Sequence, residues 1–201
     1  MNPDRTALLA RRAADVLRAA VIASGILMLG FGNFAAAGGF AVVFLVLLAT
    51  RVLKVSAPFD AAFCLSLLAA MWAAAQQWYS TVVWVDEVVH LFATGATAAA
   101  GYLMLAELEL LPGVEEQLKG ARRTSLVLLL TIFGLGVAAV WEFLEWLGQL
   151  LAPQDMHVGY TDTILDMMLG GVGSLVAGVL LLLWTRRVQR RRTGVAAEET
   201  Q

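Results

Sequence analysis

Charge is scarce in this chain. Only 15% of its 201 residues are Asp, Glu, Lys or Arg, while 60% are apolar; soluble domains carry about 25% charged residues. The deficit is gathered into uninterrupted stretches of about twenty residues, the length a helix needs to cross the hydrocarbon of a bilayer. A soluble fold would have to bury nearly everything and would keep almost nothing for solvation, which excludes that class. Cysteine is nearly missing as well. Cys64 stands alone in an apolar run, so no intramolecular disulfide can form and the residue reads as a small packing group. Proline is rare, with four in all, and none interrupts an apolar stretch. No internal repeat or separate soluble domain stands out, and nothing points to nucleic acid or an organic cofactor.

Positive charge is missing from every second connection. Six apolar spans are predicted at residues 15–34, 35–53, 61–79, 86–106, 125–147 and 162–185. The second is the weakest, with Gly38 and Gly39 near its start and Arg51 near its end. All fourteen Lys and Arg residues then fall on one side. Arg5, Arg11, Arg12 and Arg18 precede or begin the first span, and Arg51 and Lys54 follow the second. Lys119, Arg122 and Arg123 lie between the fourth and fifth, and the rest cluster from Arg186 to Arg192. The positive-inside rule makes that side cytoplasmic. The fold class is therefore all-α: a polytopic membrane bundle of six helices over residues 1–192, both ends inside, with a disordered cytoplasmic tail at 193–201. Arg18 and Arg51 are expected to snorkel to the interface, and the terminal Arg cluster to sit against anionic lipid. The basic start, first apolar run and Ala35-Ala36-Ala37 also fit a cleavable leader, whose removal would leave the other spans in the same orientation. Trp78, Tyr79, Trp84, Trp146 and Tyr160 mark the outer boundary and Trp184 the inner one.

The outer side instead holds Asp86, Glu87, Glu142, Glu145, Asp155, Asp162 and Asp166, faced only by His90 and His157. Asp86 and His90 are i,i+4 on the fourth span, Glu142 and Glu145 i,i+3 on the fifth, and Asp162 and Asp166 i,i+4 on the sixth. Each spacing puts both side chains on one helix face. The fourth and sixth spans enter where the fifth leaves, so the three pairs share one depth. The same faces continue inward with small residues: Gly170, Ser174 and Gly178; Ala138 and Gly134; Thr94 and Ala98. Small stripes let membrane helices approach closely, which turns the acids towards a shared interface. Gathered carboxylates without a Lys or Arg repel one another, so either several hold protons or a cation sits among them. A His with carboxylates suits Zn²⁺, Mn²⁺ or Fe²⁺ better than Mg²⁺ or Ca²⁺.

Asp86 and Asp162 open their helices and read equally as N-caps, and Asp60 reads as a cap of the third span. Glu145 reads equally as reaching the interface and being solvated there. His90, Glu142 and Asp166 lie a turn deeper, where capping cannot account for them, and intramembrane ionisable groups are functional by default. Glu87 is off the stripe and expected to be exposed, His157 is expected to be a solvated loop residue, and Gln76 and Gln77 are possible supporting groups.

The stretches WVDEVVHLFATG (84–95), WEFLEW (141–146) and GYTDTILDMMLGGVGS (159–174) resemble the YjdF-like family of bacterial inner-membrane proteins. That resemblance covers the second half of the chain and implies six spans and residence in the bacterial cytoplasmic membrane, with no established activity. A looser similarity links the pattern to VanZ-like membrane proteins, from which this chain departs by carrying Glu87 where a basic residue is usual. Three functions compete. One is a metal-dependent membrane enzyme acting at the outer leaflet on a lipid or lipid-linked substrate, with Asp86, His90, Glu142, Glu145, Asp162 and Asp166 as ligands and general base. The others are a cation- or proton-coupled transporter, and a structural metal site in an assembly factor. Transport needs polar groups through the far half of the membrane, and the stripes offer only Thr94, Thr131 and Ser174 there.

Overall fold

In hydrocarbon a backbone N–H or C=O has no water to bond, so an apolar run satisfies its own backbone by coiling into a helix. A computed structural model describes residues 3–118, 122–151 and 159–198. In chain order they form α1 (Pro3–Gly30), α2 (Phe34–Val52), α3 (Ala57–Ala75), a short α4 (Trp78–Thr81), α5 (Val85–Glu107), a short α6 (Val114–Gln117), α7 (Arg122–Leu151) and α8 (Tyr160–Glu198). Among the described residues, six helices are long and apolar enough to span a membrane, in the order the sequence predicts.

The helix ends differ from expectation for local reasons. α1 stops at Gly30 because Gly32 adopts φ +74°, and Asn33 caps α2 by accepting the Ala36 N–H. α3 ends at Ala75, short of 79, where Gln77 takes a left-handed φ of 56° and turns the chain into α4. At its other end α8 runs past residue 192 as far as Glu198.

Two packing groups build the bundle. Val21 and Met28 of α1, Phe40 and Leu47 of α2 and Phe63 of α3 form one buried cluster. Tyr102, Leu126, Leu130 and Leu181 join α5, α7 and α8 in the other, with Val114 of α6 closing its end. Contacts between α3 and α5 hold the halves together. The closest approach is between α5 and α8. A Cβ on Gly95 would stand 2.6 Å from the carbonyl oxygen of Gly173, and one on Gly173 would collide with the carbonyl oxygen of Leu91. Only glycine fits at either position.

Arg18 overturns one expectation. It does not snorkel but is buried, donating to the Leu47 carbonyl at 2.9 Å, to Thr50 Oγ1 at 2.8 Å and to Asp60 Oδ1 at 2.5 Å. Asp60, expected to be a helix cap, is fully buried and also accepts from Arg11 at 2.9 Å. The Asp60 carboxylate thus meets two guanidinium groups and a hydroxyl, and ties α1, α2 and α3 together at the basic end. Arg51 is exposed and pairs with Asp15 at 2.9 Å.

Candidate metal centre

Three helices deliver the acidic residues to one depth. Asp86 lies in the first turn of α5, inside the helix, since the N-cap position belongs to Trp84; it is not a cap. Asp162 lies in the first turn of α8. His90 and Asp166 follow one turn deeper, and Glu142 and Glu145 come from the far end of α7, which runs the opposite way. The stripes beneath interlock: a Cβ on Gly170 of α8 would meet Ala138 of α7 at 2.9 Å and Thr94 of α5 at 3.1 Å. With so little side chain between the helices, the acids above them converge.

All six residues singled out by the sequence come together. Ligand atoms of His90, Glu142 and Asp166, one residue from each helix, lie within 4.8 Å of one another. The same holds for Asp86, His90 and Glu145, and for Asp86, Asp162 and Asp166. His90 and Asp166 are 2% exposed and Glu142 8%. His90 Nε2 stands 3.4 Å from Asp86 Oδ1 and 3.6 Å from Glu142 Oε1. None of these atoms has a hydrogen-bond partner, nor does Asp166 Oδ2 or His90 Nδ1. Buried polar atoms left unbonded each cost about 1–3 kcal/mol, so a set of them aimed at one another demands an occupant or shared protons. The donor set of one imidazole nitrogen and several carboxylate oxygens fits a divalent transition ion.

The sequence missed two neighbours. Trp141 Nε1 donates to Glu145 Oε1 at 2.7 Å, and its ring stands edge-on to His90 with centroids 5.9 Å apart. The i,i+4 spacing of Trp141 and Glu145 was the available signal. Tyr79 is the second: burial, and then the negative charges of Asp86 and Glu145, push its phenol above the ordinary tyrosine range. Its hydroxyl donates to the Ala70 carbonyl at 3.3 Å. A cavity of about 20 Å³ between α3, α5 and α7 touches His90, Thr94, Thr97 and Trp141, enough for one water molecule.

Other expectations fare differently. Glu87 is half-buried rather than exposed, with Oε2 shut away and unbonded. Gln76 and Gln77 are exposed, and Gln77 serves the chain reversal instead. Asp155 and His157 lie outside the described residues. Below the cluster the interface is filled: Ser174 is fully buried, donates to the Gly170 carbonyl at 2.8 Å, and occupies the space a side chain on Gly134 would need.

Comparison with curated proteins and with solved structures yields no match. A family profile does match, and it extends over the first three membrane helices as well as the acidic half of the chain. Covering residues 9–187, it shows that the chain belongs to DUF2238, a family described as predicted membrane proteins.

Proposed function

We propose that the protein is a metal-dependent membrane enzyme whose site, at the end opposite the basic residues, acts on a lipid or lipid-linked substrate in the outer leaflet. One observation carries this reading: buried, unbonded atoms of His90, Glu142 and Asp166 from three different helices point to a common centre. Zn²⁺, Mn²⁺ or Fe²⁺ suits the mixed nitrogen and oxygen donors. A bound divalent ion would supply Lewis acidity and an activated water. His90, Glu142 and Asp166 would hold it, Asp86 and Asp162 would complete its surroundings, and Glu145 would be the general base. The Trp141 N–H fixes the orientation of the Glu145 carboxylate. The narrower likeness to YjdF-like proteins of the bacterial inner membrane belongs to this reading and rests on the three motifs around the site.

The packing of Ser174 and Thr94 beneath the cluster, both buried, counts against a conducting path and so against transport. A structural metal site is separated from an enzyme by turnover alone. Elemental analysis of detergent-purified protein, with Glu142→Ala and Asp166→Ala alongside, tests the metal. Near-stoichiometric metal in the wild type and its loss in both folded variants is expected. Metal-free wild type, or variants that keep full stoichiometry, would remove the reading.

A further inference from the structure

Away from the acidic cluster, a groove of about 610 Å³ opens between α3, α5 and α8, within the roughly 300–1,000 Å³ typical of pockets that enclose small molecules. Its wall is apolar, with Phe59, Ala62, Leu91, Ala96, Val176 and Leu180 among its lining, and no carboxylate takes part. Space is left because Ala62 and Ala96 carry almost no side chain where larger residues would close the cleft. Along α8 the lining runs from Gly173 to Arg187. At about 1.5 Å per residue that is ~21 Å of helix, against ~15 Å for the hydrocarbon of one leaflet. The groove therefore starts at the basic end and reaches beyond the bilayer midplane. At its mouth stand Trp184, an aromatic at interface depth, and the exposed Arg187. Among the described residues no ion pair engages Arg187, and the neighbouring Arg186 keeps its Nε buried without a partner.

We propose that this groove binds one acyl chain of an anionic phospholipid from the leaflet at the basic end, with the lipid phosphate on Arg187. The length matches a chain plus its glycerol, the wall offers the chain only hydrocarbon, and among the described lining residues the one charged side chain, Arg187, is positive. A neutral solute would find nothing polar to bind along the wall and would leave Arg187 uncompensated. The groove reaches Leu91, next to His90, but none of the six cluster residues lines it, so the proposal stands whether or not that cluster holds metal.

The test is native mass spectrometry of the full chain taken from nanodiscs of equal parts phosphatidylglycerol and phosphatidylcholine. Wild type is expected to retain phosphatidylglycerol selectively, and Arg187→Ala to lower that preference about fivefold, the factor for one basic side chain at an anionic surface. Ala62→Trp fills the groove from an exposed position and should abolish retention of both lipids. Leu180→Trp fills it from α8 and serves if Ala62→Trp does not fold. Val42→Trp, on a lipid-exposed position of α2 outside the groove, should change nothing. Equal retention of both lipids by wild type, a preference untouched by Arg187→Ala, or lipid kept by a folded groove-filling variant would overturn the proposal.

Discussion

Nε2 of His90 on α5 and Oε1 of Glu142 on α7 stand 3.6 Å apart, both buried and neither hydrogen-bonded. The Asp60 carboxylate in the same molecule shows the alternative. It is equally buried, yet two arginines and a threonine satisfy it. A buried carboxylate is stable when its charge is met. At the basic end the protein meets it with its own arginines, whereas among the described residues no Lys or Arg pairs with the acidic cluster and His90 is the one basic group there. That contrast gives the account its consequences.

Trp141→Phe keeps an aromatic ring on the same backbone position beside His90 but removes the indole N–H that holds Glu145, together with part of the ring. Groups that orient a metal site typically contribute ~10–100-fold in affinity or activity. A loss in that range, measured by competitive metal titration on folded protein, is expected.

Asp60→Ala leaves the buried Arg18 with only Asp15, at 3.3 Å, as a carboxylate partner and takes from Arg11 its salt bridge, leaving the Val55 carbonyl. Breaking a buried pair in this way costs about 3–5 kcal/mol. Arg51→Ala breaks a half-exposed pair and should cost about 0–1 kcal/mol. Denaturation in detergent should show the large effect for Asp60 and almost none for Arg51, and metal content should follow neither wherever the fold is kept.

Gly173→Ala drives a methyl into the Leu91 carbonyl oxygen, a backbone atom that cannot rotate away. Overpacking of this kind costs about 1–3 kcal/mol. It would also push apart the helices carrying His90 and Asp166, so metal content should fall with stability. Gly136→Ala points into open space and should be neutral or stabilising by up to ~1 kcal/mol. Melting curves and elemental analysis of the two variants make the comparison.

Acid should release the metal. Carboxylate and imidazole ligands bind in their deprotonated forms, so protons compete with the ion. Metal content after dialysis should fall steadily with pH and return on reloading at neutral pH. Retention down to the lowest pH at which the protein stays folded would contradict carboxylate and imidazole ligation.

Much of this was legible in the sequence. Six spans followed from apolar length, and the depth of the acidic pairs followed from the alternating direction of the helices. The 3.6-residue period placed Asp86 with His90 and Asp162 with Asp166, and small residues beneath them fixed which way those faces turned. Pairings across different helices were not legible. Nothing near Arg18 in sequence indicates that Asp60 will meet it, since a lone arginine in an apolar run can equally reach for the interface. The earlier ends of α1 and α3 came from single backbone positions, Gly32 and Gln77, whose left-handed φ no hydropathy pattern records. Trp141 escaped because an aromatic at interface depth is ordinarily a belt residue, and only the cross-helix contact with His90 distinguishes it.

X-ray absorption at the metal edge of purified, metal-loaded protein tests the central claim most directly. A shell of carboxylate oxygens with one imidazole nitrogen is predicted, and His90→Ala should erase the imidazole signal. An all-oxygen shell in the wild type, or a spectrum indifferent to replacement of His90, Glu142 and Asp166, would contradict it.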